Sequence, residues 1–346
     1  MTGEERNSPM DIQSVGESLI RPGQILTDRS ALSTATRWTQ AVSEADGVCV
    51  IHLTPGVDPC EITMDLRGQG FRASPNHVLA GQPLFWGGPA SRPFPVASVP
   101  YKQGRSHSPA VVGLLDTGVA KHQWWAGTDW YERQSKDEDD AQEGAQAGHG
   151  TFLAGLLLRR APGVSLRVRR VLDGNGVGDE AGVIRALHRM SRQPPQVLNL
   201  SFGCHSFDDR PPPLLTDTLR ALPDTVAVAC AGNTAGDRPF WPAALPEVIG
   251  VGALDAAEER RAPYSAHGPW VDACARGEWL TSSFLERDEF GGYAAWSGTS
   301  FAAAVVAGTI ADAARDLPAK EAAARVLDRE ATRQIPDLGV LIPWSR

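Results

Sequence analysis

From Val111 onward the chain repeats one pattern: a short apolar run, a polar turn, then a stretch with helical periodicity. The runs are VVGLLD (111–116), LRVRRVL (166–172), VLNLSF (197–202), VAVACA (226–231) and VIGVGA (248–253). Runs this short, rich in Val, Ile and Leu, read as strands buried on both faces. Between them, DEAGVIRALHRMSR (179–192) places Val183, Ile184, Leu187 and Met190 on one helical face, with Asp179 as N-cap. Strands alternating with helices imply an α/β fold: a mostly parallel central sheet with helices on both faces. No internal repeat is visible.

Ahead of that region the pattern is different. Residues 1–23 are polar and read as a disordered tail. Residues 24–90 read as a small α+β unit. In it, RSALSTATRWTQAVSEA (29–45) has Leu32, Ala35, Trp38 and Val42 at helical spacing, and VCVIHL (48–53) reads as a strand. GGPASRPFPVASVP (87–100) is rich in Gly, Pro and Ser, and a linker is expected over 91–104. The large α/β domain then occupies 105–346.

Composition narrows the function. A net charge of −8 gives no basis for general nucleic-acid or membrane-surface binding. No stretch approaches the ~18 consecutive apolar residues of a membrane span, and the N-terminus lacks the basic flank and apolar stretch of a secretory signal. A cytoplasmic protein is therefore expected. Five widely spaced cysteines, with no CxxC pair, support neither a zinc site nor a disulfide framework. Cys204 and Cys230 read as buried small hydrophobes.

Three stretches carry chemistry. VVGLLDTGVA ends a buried strand on Asp116, at the end of a parallel strand where ligands bind in such sheets; a turn carboxylate is the plainer alternative. AGHGTFLAG sets His149 between glycines at a helix start, where an isolated histidine is more often structural. WSGTSFAAAVVAG sets Ser300 at the mouth of an alanine-rich helix, as a capping residue or as a nucleophile beside outward N–H groups. A serine hydroxyl needs a base, and the base an orienting carboxylate. The chain supplies Asp, His and Ser in that order, which is the subtilisin order of this convergent triad.

Here the chain resembles the subtilisin-like (subtilase) serine peptidases. LLDTGV, GHGTFLAG and SGTSFAAAVVAG match the family's Asp, His and Ser motifs, and ACAGNTAG its oxyanion stretch, with 33, 84 and 67 residues separating Asp116, His149, Asn233 and Ser300. LNLSFG matches the substrate-binding strand. The resemblance covers about residues 105–316. It implies a serine endopeptidase in which Ser300 attacks, His149 carries the proton, Asp116 orients His149, and Asn233 with the Ser300 N–H holds the oxyanion. It also implies a peptide or protein substrate added as a strand beside Ser201, Phe202 and Gly203, with Ala231 and Gly232 in the opposite wall. Phe202, Phe240 and Trp241 are placed to crowd that pocket or to pack in the core. No metal or organic cofactor is needed for this chemistry. The calcium loop that many relatives insert after the His helix is missing from GTFLAGLLLRRAPGVSLRVRRVL.

The acidic run KDEDDAQE (136–143) lies just before His149 and reads as a solvated loop. Arg167 and Arg169 alternate with apolar residues, as on an exposed sheet edge. Residues 24–84 have the size and place of a family pro-domain, with ASPNHVLAGQPLFWGGP (73–89) threading to the active site as an intramolecular inhibitor; a fixed accessory domain is the competing reading. Two other functions stay open: a catalytically idle peptide-binding module on the same fold, and a peptide ligase or acyl transferase using the same triad.

Overall fold

The computed structural model describes residues 12–81, 92–101, 108–140 and 143–344. Its N-terminal unit is built from β1 (Gln13–Val15), β2 (Ser18–Thr27), the short α1 (Leu32–Ala35), β3 (Thr39–Ala45), β4 (Val48–Leu53), α2 (Pro59–Gly68) and β5 (Ala73–Ala80). The strands form an antiparallel sheet in the order β3-β4-β2-β5, with β1 on β2. Ile25, Ile51, Leu53, Ile62 and Leu66 make its small core against α2.

Three expectations are corrected here. The tail expected over 1–23 is strand from Gln13, because β2 pairs with both β4 and β5, a long-range partnership that local polarity does not reveal; residues 1–11 lie outside the described residues. The helix expected over 29–45 stops at Trp38, and Thr39–Ala45 is a strand. Asp46 and Gly47 both take positive φ (49° and 79°) in a two-residue turn that pairs Ala45 with Val48. Asp-Gly is the preferred pair for such a hairpin turn, and it overrides the helical spacing upstream. Within the expected linker, β6 (Phe94–Pro95) pairs with a strand of the large domain.

That domain adds β7 (Val111–Asp116), α3 (Asp129–Glu132), α4 (His149–Arg160), β8 (Ser165–Arg170), β9 (Val177–Asp179), α5 (Glu180–Met190), β10 (Val197–Leu200), α6 (Pro213–Arg220), β11 (Val226–Cys230), β12 (Val248–Leu254), β13 (Ala273–Arg276), β14 (Leu280–Arg287), β15 (Phe290–Trp296), α7 (Thr299–Ala313), α8 (Ala319–Val326), β16 (Gln334–Ile335) and β17 (Gly339–Ile342). An eight-stranded sheet runs β16-β17-β13-β12-β11-β10-β7-β8, parallel except for β16. β14 and β15 form a hairpin that β6 extends.

Period-two alternation sends side chains to two cores. Val112, Leu114, Val228 and Val251 face α4, α7 and α8, while Leu115, Leu198, Leu200 and Ala229 face α5 and α6. Asp179 does cap α5, accepting from Gly182 N at 2.9 Å. β8 is one edge strand; Leu166 and Val168 are buried, and Arg167 and Arg169 lie half-exposed, as expected. Nearly the whole of α7 is buried, so it runs apolar on all sides.

The two units share a sheet. β5 pairs antiparallel with β9, so the N-terminal sheet continues into the large domain. Buried side-chain contacts reinforce the joint: Arg21 Nε to Asp179 Oδ2 at 3.3 Å, and His77 Nδ1 to Glu180 Oε2 at 2.7 Å.

Candidate active site

Asp116 ends β7, and the turn after it is held against the first turn of α4. A Cβ at Gly150 would collide with the Gly118 carbonyl, and Gly118 itself takes φ +103°, so both positions require glycine. That close approach delivers His149: its Nδ1 lies 2.7 Å from Asp116 Oδ1, which also accepts from Thr117 N at 2.9 Å. Both side chains are at most 1% exposed. The imidazole is enclosed by Trp296, edge-on at 5.6 Å, and Phe301 at 5.4 Å.

Ser300 lies in the first turn of α7, whose N-cap is Gly298. It sits where helix N–H groups and the helix dipole favour negative charge. Its hydroxyl donates to Gly81 O at 3.0 Å and Ser201 O at 3.2 Å. The Ser300–His149 hydrogen bond is not formed, and His149 Nε2 is buried without a hydrogen-bond partner among the described residues. Both groups nevertheless abut Gly81: a Cβ there would lie 3.6 Å from His149 Cε1. Asn233 Oδ1 accepts from Thr299 N and Oγ1, both at 2.9 Å, which fixes the carboxamide beside the first turn of α7.

The cleft is occupied by the chain itself. Ala80 exchanges two backbone hydrogen bonds with Gly203, at 3.0 and 3.1 Å, and Gly81 N donates to Gly176 O at 2.9 Å. The end of β5 therefore lies as a strand between β9 and Gly203, with its last described carbonyl on Ser300. Residues 82–89 of the segment expected to thread the cleft lie outside the described residues.

The remaining expected binding residues divide. Ser201 touches Ser300 twice, since its Oγ also donates to Ser300 O at 3.0 Å. Gly203 and Gly232 line a cavity of about 540 Å³ beside Ala80, Gly81, Asn233 and Phe240. Phe202 and Ala231 do not present side chains to it: both lie just past the ends of β10 and β11 and are fully buried in apolar clusters. Trp241 likewise packs in the core, with its Nε1 donating to Ser206 Oγ at 3.1 Å. Phe240 is the aromatic that enters the cavity. Cys230 lines it too, but burial pushes its thiol up to about 12, so it is a neutral thiol and no rival nucleophile. All five cysteines are free and buried.

Sequence reasoning missed Asp140. The solvated-loop reading fails for this residue, which is 3% exposed and hydrogen-bonded to Thr117, Gly148 and Thr151. Nothing in the composition of the run marks which of its acids turns inward.

Comparisons with known proteins identify the family. The subtilase family model, peptidase S8, matches residues 108–335. The thermophilic serine proteinase of Bacillus sp. (strain AK1) is 34% identical over 173 residues, 48% of this chain and 39% of that protein. The major intracellular serine protease of Bacillus subtilis (strain 168) is 30% identical over 222 residues, 58% of this chain and 66% of that protein. The matches thus span less than two thirds of either relative. A solved structure of a cold adapted subtilisin-like serine proteinase superposes with a TM-score of 0.55 at 23% identity, covering 72% of this chain and 94% of that one, a likeness of fold. On the extent of the family match, the chain belongs to the subtilase family.

Proposed function

We propose that the chain is a serine endopeptidase working through an acyl-enzyme. The observation that carries this reading is the buried 2.7 Å contact of His149 with Asp116 at a cleft where Ser300 and Asn233 converge on one inserted strand. Asp116 holds the tautomer with the proton on Nδ1, leaving Nε2 as base. A turn of the Ser300 side chain from Gly81 O toward Nε2 starts the reaction. His149 takes the hydroxyl proton as Ser300 attacks, then returns it to the leaving amine. The Ser300 N–H and the Asn233 amide hold the oxyanion. Water then releases the acyl group by the same route. These steps draw on side chains and backbone alone.

In this reading the substrate is a peptide or protein that adds as a strand where the end of β5 now lies, using the open backbone groups of β9 and Gly203. The N-terminal unit is then an intramolecular inhibitor, and the working domains are an N-terminal unit through residue 90 and a peptidase domain over 105–346. A cytoplasmic setting is supported by the likeness to the major intracellular serine protease of Bacillus subtilis; no described helix is long and apolar enough to cross a membrane.

A fluorophosphonate probe tests the proposal. Labelling is expected on Ser300, absent in Ser300→Ala, and faster once residues 1–91 are removed. One observation favours the idle binding module instead: the Ser300 hydroxyl is engaged by Gly81 and Ser201 rather than by His149. Absence of labelling in both the full and shortened chains would decide for that module. Products formed with added amines separate hydrolysis from ligation.

A further inference from the structure

Asp140 is a buried carboxylate that the proposed chemistry does not use. Its Oδ1 accepts from Thr117 Oγ1 at 2.7 Å and Gly148 N at 3.1 Å. Its Oδ2 accepts from Thr151 N at 2.9 Å and Thr151 Oγ1 at 2.6 Å. All three partners adjoin the triad. Thr117 follows Asp116 and donates its N–H to that carboxylate. Gly148 precedes His149, and Thr151 lies two residues after it. The network closes on itself, because Thr117 Oγ1 accepts from Gly150 N at 3.0 Å and Thr151 Oγ1 accepts from Ala120 N at 2.9 Å.

We infer that Asp140 is a positioning residue for the Asp116–His149 pair, acting through Thr117, Gly148 and Thr151. The inference rests on the peptidase reading above. α4 needs such a group, since its N-cap is Gly148 in a left-handed conformation, with no side chain to satisfy the first N–H groups. Asp140 supplies the missing acceptor from outside the helix, and its charge suits the helix N-terminus. It does more than cap, because the same carboxylate grips the hydroxyl of the residue beside Asp116. One group thereby ties the two loops whose separation sets the Asp116–His149 distance. Burial pushes its pKa up to about 6 despite the four donors, so its ionised form depends on keeping them all. Among the charged groups of its loop, Glu138 pairs with Arg169 at 3.5 Å and accepts from Arg170 N, fastening the acidic run to β8.

The test is Asp140→Asn in the full chain, with Thr117→Val and Thr117→Ser beside it. An amide cannot accept all four donors, and Val cannot bridge. Per active site titrated with fluorophosphonate, kcat is expected to fall about tenfold or more in Asp140→Asn and Thr117→Val, with KM little changed. Thr117→Ser is expected to restore most of the loss. The low-field proton resonance of His149 Nδ1–H is expected to shift or broaden in the first two variants and to return with Ser. A melting temperature that falls while kcat per site stays within about twofold of the parent, or an unmoved resonance, would overturn the inference and leave Asp140 a helix cap. If Asp140→Asn does not fold, the Thr117 pair carries the test. If the parent chain neither labels nor hydrolyses, the peptidase reading falls, and the resonance still reports on positioning.

Discussion

Gly308→Ala places one methyl group where the helices carrying His149 and Ser300 touch. In α7 interior the change favours the helix by about 1 kcal/mol, because Gly is the poorer helix former. Against that, the new Cβ would lie 2.6 Å from Arg160 Cβ and 3.4 Å from Leu157 O. Carbon atoms prefer separations of about 3.5–4.0 Å, so α4 and α7 must part by about 1 Å. The obstacle cannot swing aside. It is the root of a side chain whose guanidinium is pinned to Thr309 Oγ1 and Trp344 O, each at 2.7 Å. Overpacking of this kind costs about 1–3 kcal/mol, and the rigid contact argues for the upper end. The net expectation is a loss of about 2 kcal/mol by urea denaturation. Because His149 and Ser300 begin the two helices, probe labelling of Ser300 is expected to slow by about tenfold. A variant as stable as the parent, with unchanged labelling, would refute the claim that this contact sets the triad's geometry.

Other perturbations read different parts of the molecule. Arg21→Ala strips one partner from a buried ion pair at the joint between the units; Asp179 keeps its bond from Gly182 N, so the cost is expected near the low end of about 3–5 kcal/mol, with faster probe labelling as the inserted strand loosens. His122 is buried, and desolvation lowers its pKa to about 4 even though Gly292 O accepts from its ring. The unfolded chain therefore takes up this proton first, so stability present above about 6.5 is lost as pH falls toward about 4. His122→Gln is expected to flatten that part of a stability–pH curve, and an unaltered curve would count against the assignment. Phe240 fills the space between Gly203 and Gly232, where a Cβ on Gly232 would lie 3.1 Å from its ring. A peptide-library profile is expected to favour small side chains at this pocket, and Phe240→Ala to raise the share of large apolar ones by about tenfold; an unchanged profile would place the specificity pocket elsewhere.

The parallel sheet was legible because its strands are buried on both faces. Apolar runs such as VLNLSF therefore announce themselves without reference to a partner. The antiparallel N-terminal sheet was not, since β1 and β3 are exposed edges whose polar residues are fixed by pairing rather than burial. The Asp-Gly turn at 46–47 was a local signal in plain view, masked by the helical spacing of Leu32, Ala35, Trp38 and Val42. Asp116, His149, Asn233 and Ser300 could be picked out by motif and order, and the structure brings their elements to one cleft. The pocket side chains could not all be assigned, because which face Phe202 or Ala231 presents depends on where the strand ends. Asp140 illustrates the remaining limit: its burial depends on a turn closing over Gly118, and no count of charges along 136–143 contains that closure.

The strand of β5 in the cleft also follows from sheet physics. β9 and the Gly203 segment present backbone N–H and C=O groups on facing edges, and such edges pair with any extended chain that fits. On the proposed reading a peptide substrate needs them open, yet open edges invite association with other chains. Covering them with the protein's own strand resolves the conflict, provided that the cover can leave. The joint is built accordingly. Arg21–Asp179 and His77–Glu180 are buried, but Arg72–Asp217 and Arg189–Asp46 are surface pairs at 2.6 and 2.7 Å that salt screens. Ionic strength should therefore weaken the rim of the joint before its centre, and labelling of Ser300 should quicken only modestly between low and high salt. Abrupt activation by salt alone would mean that the buried pairs are not what holds the strand in place.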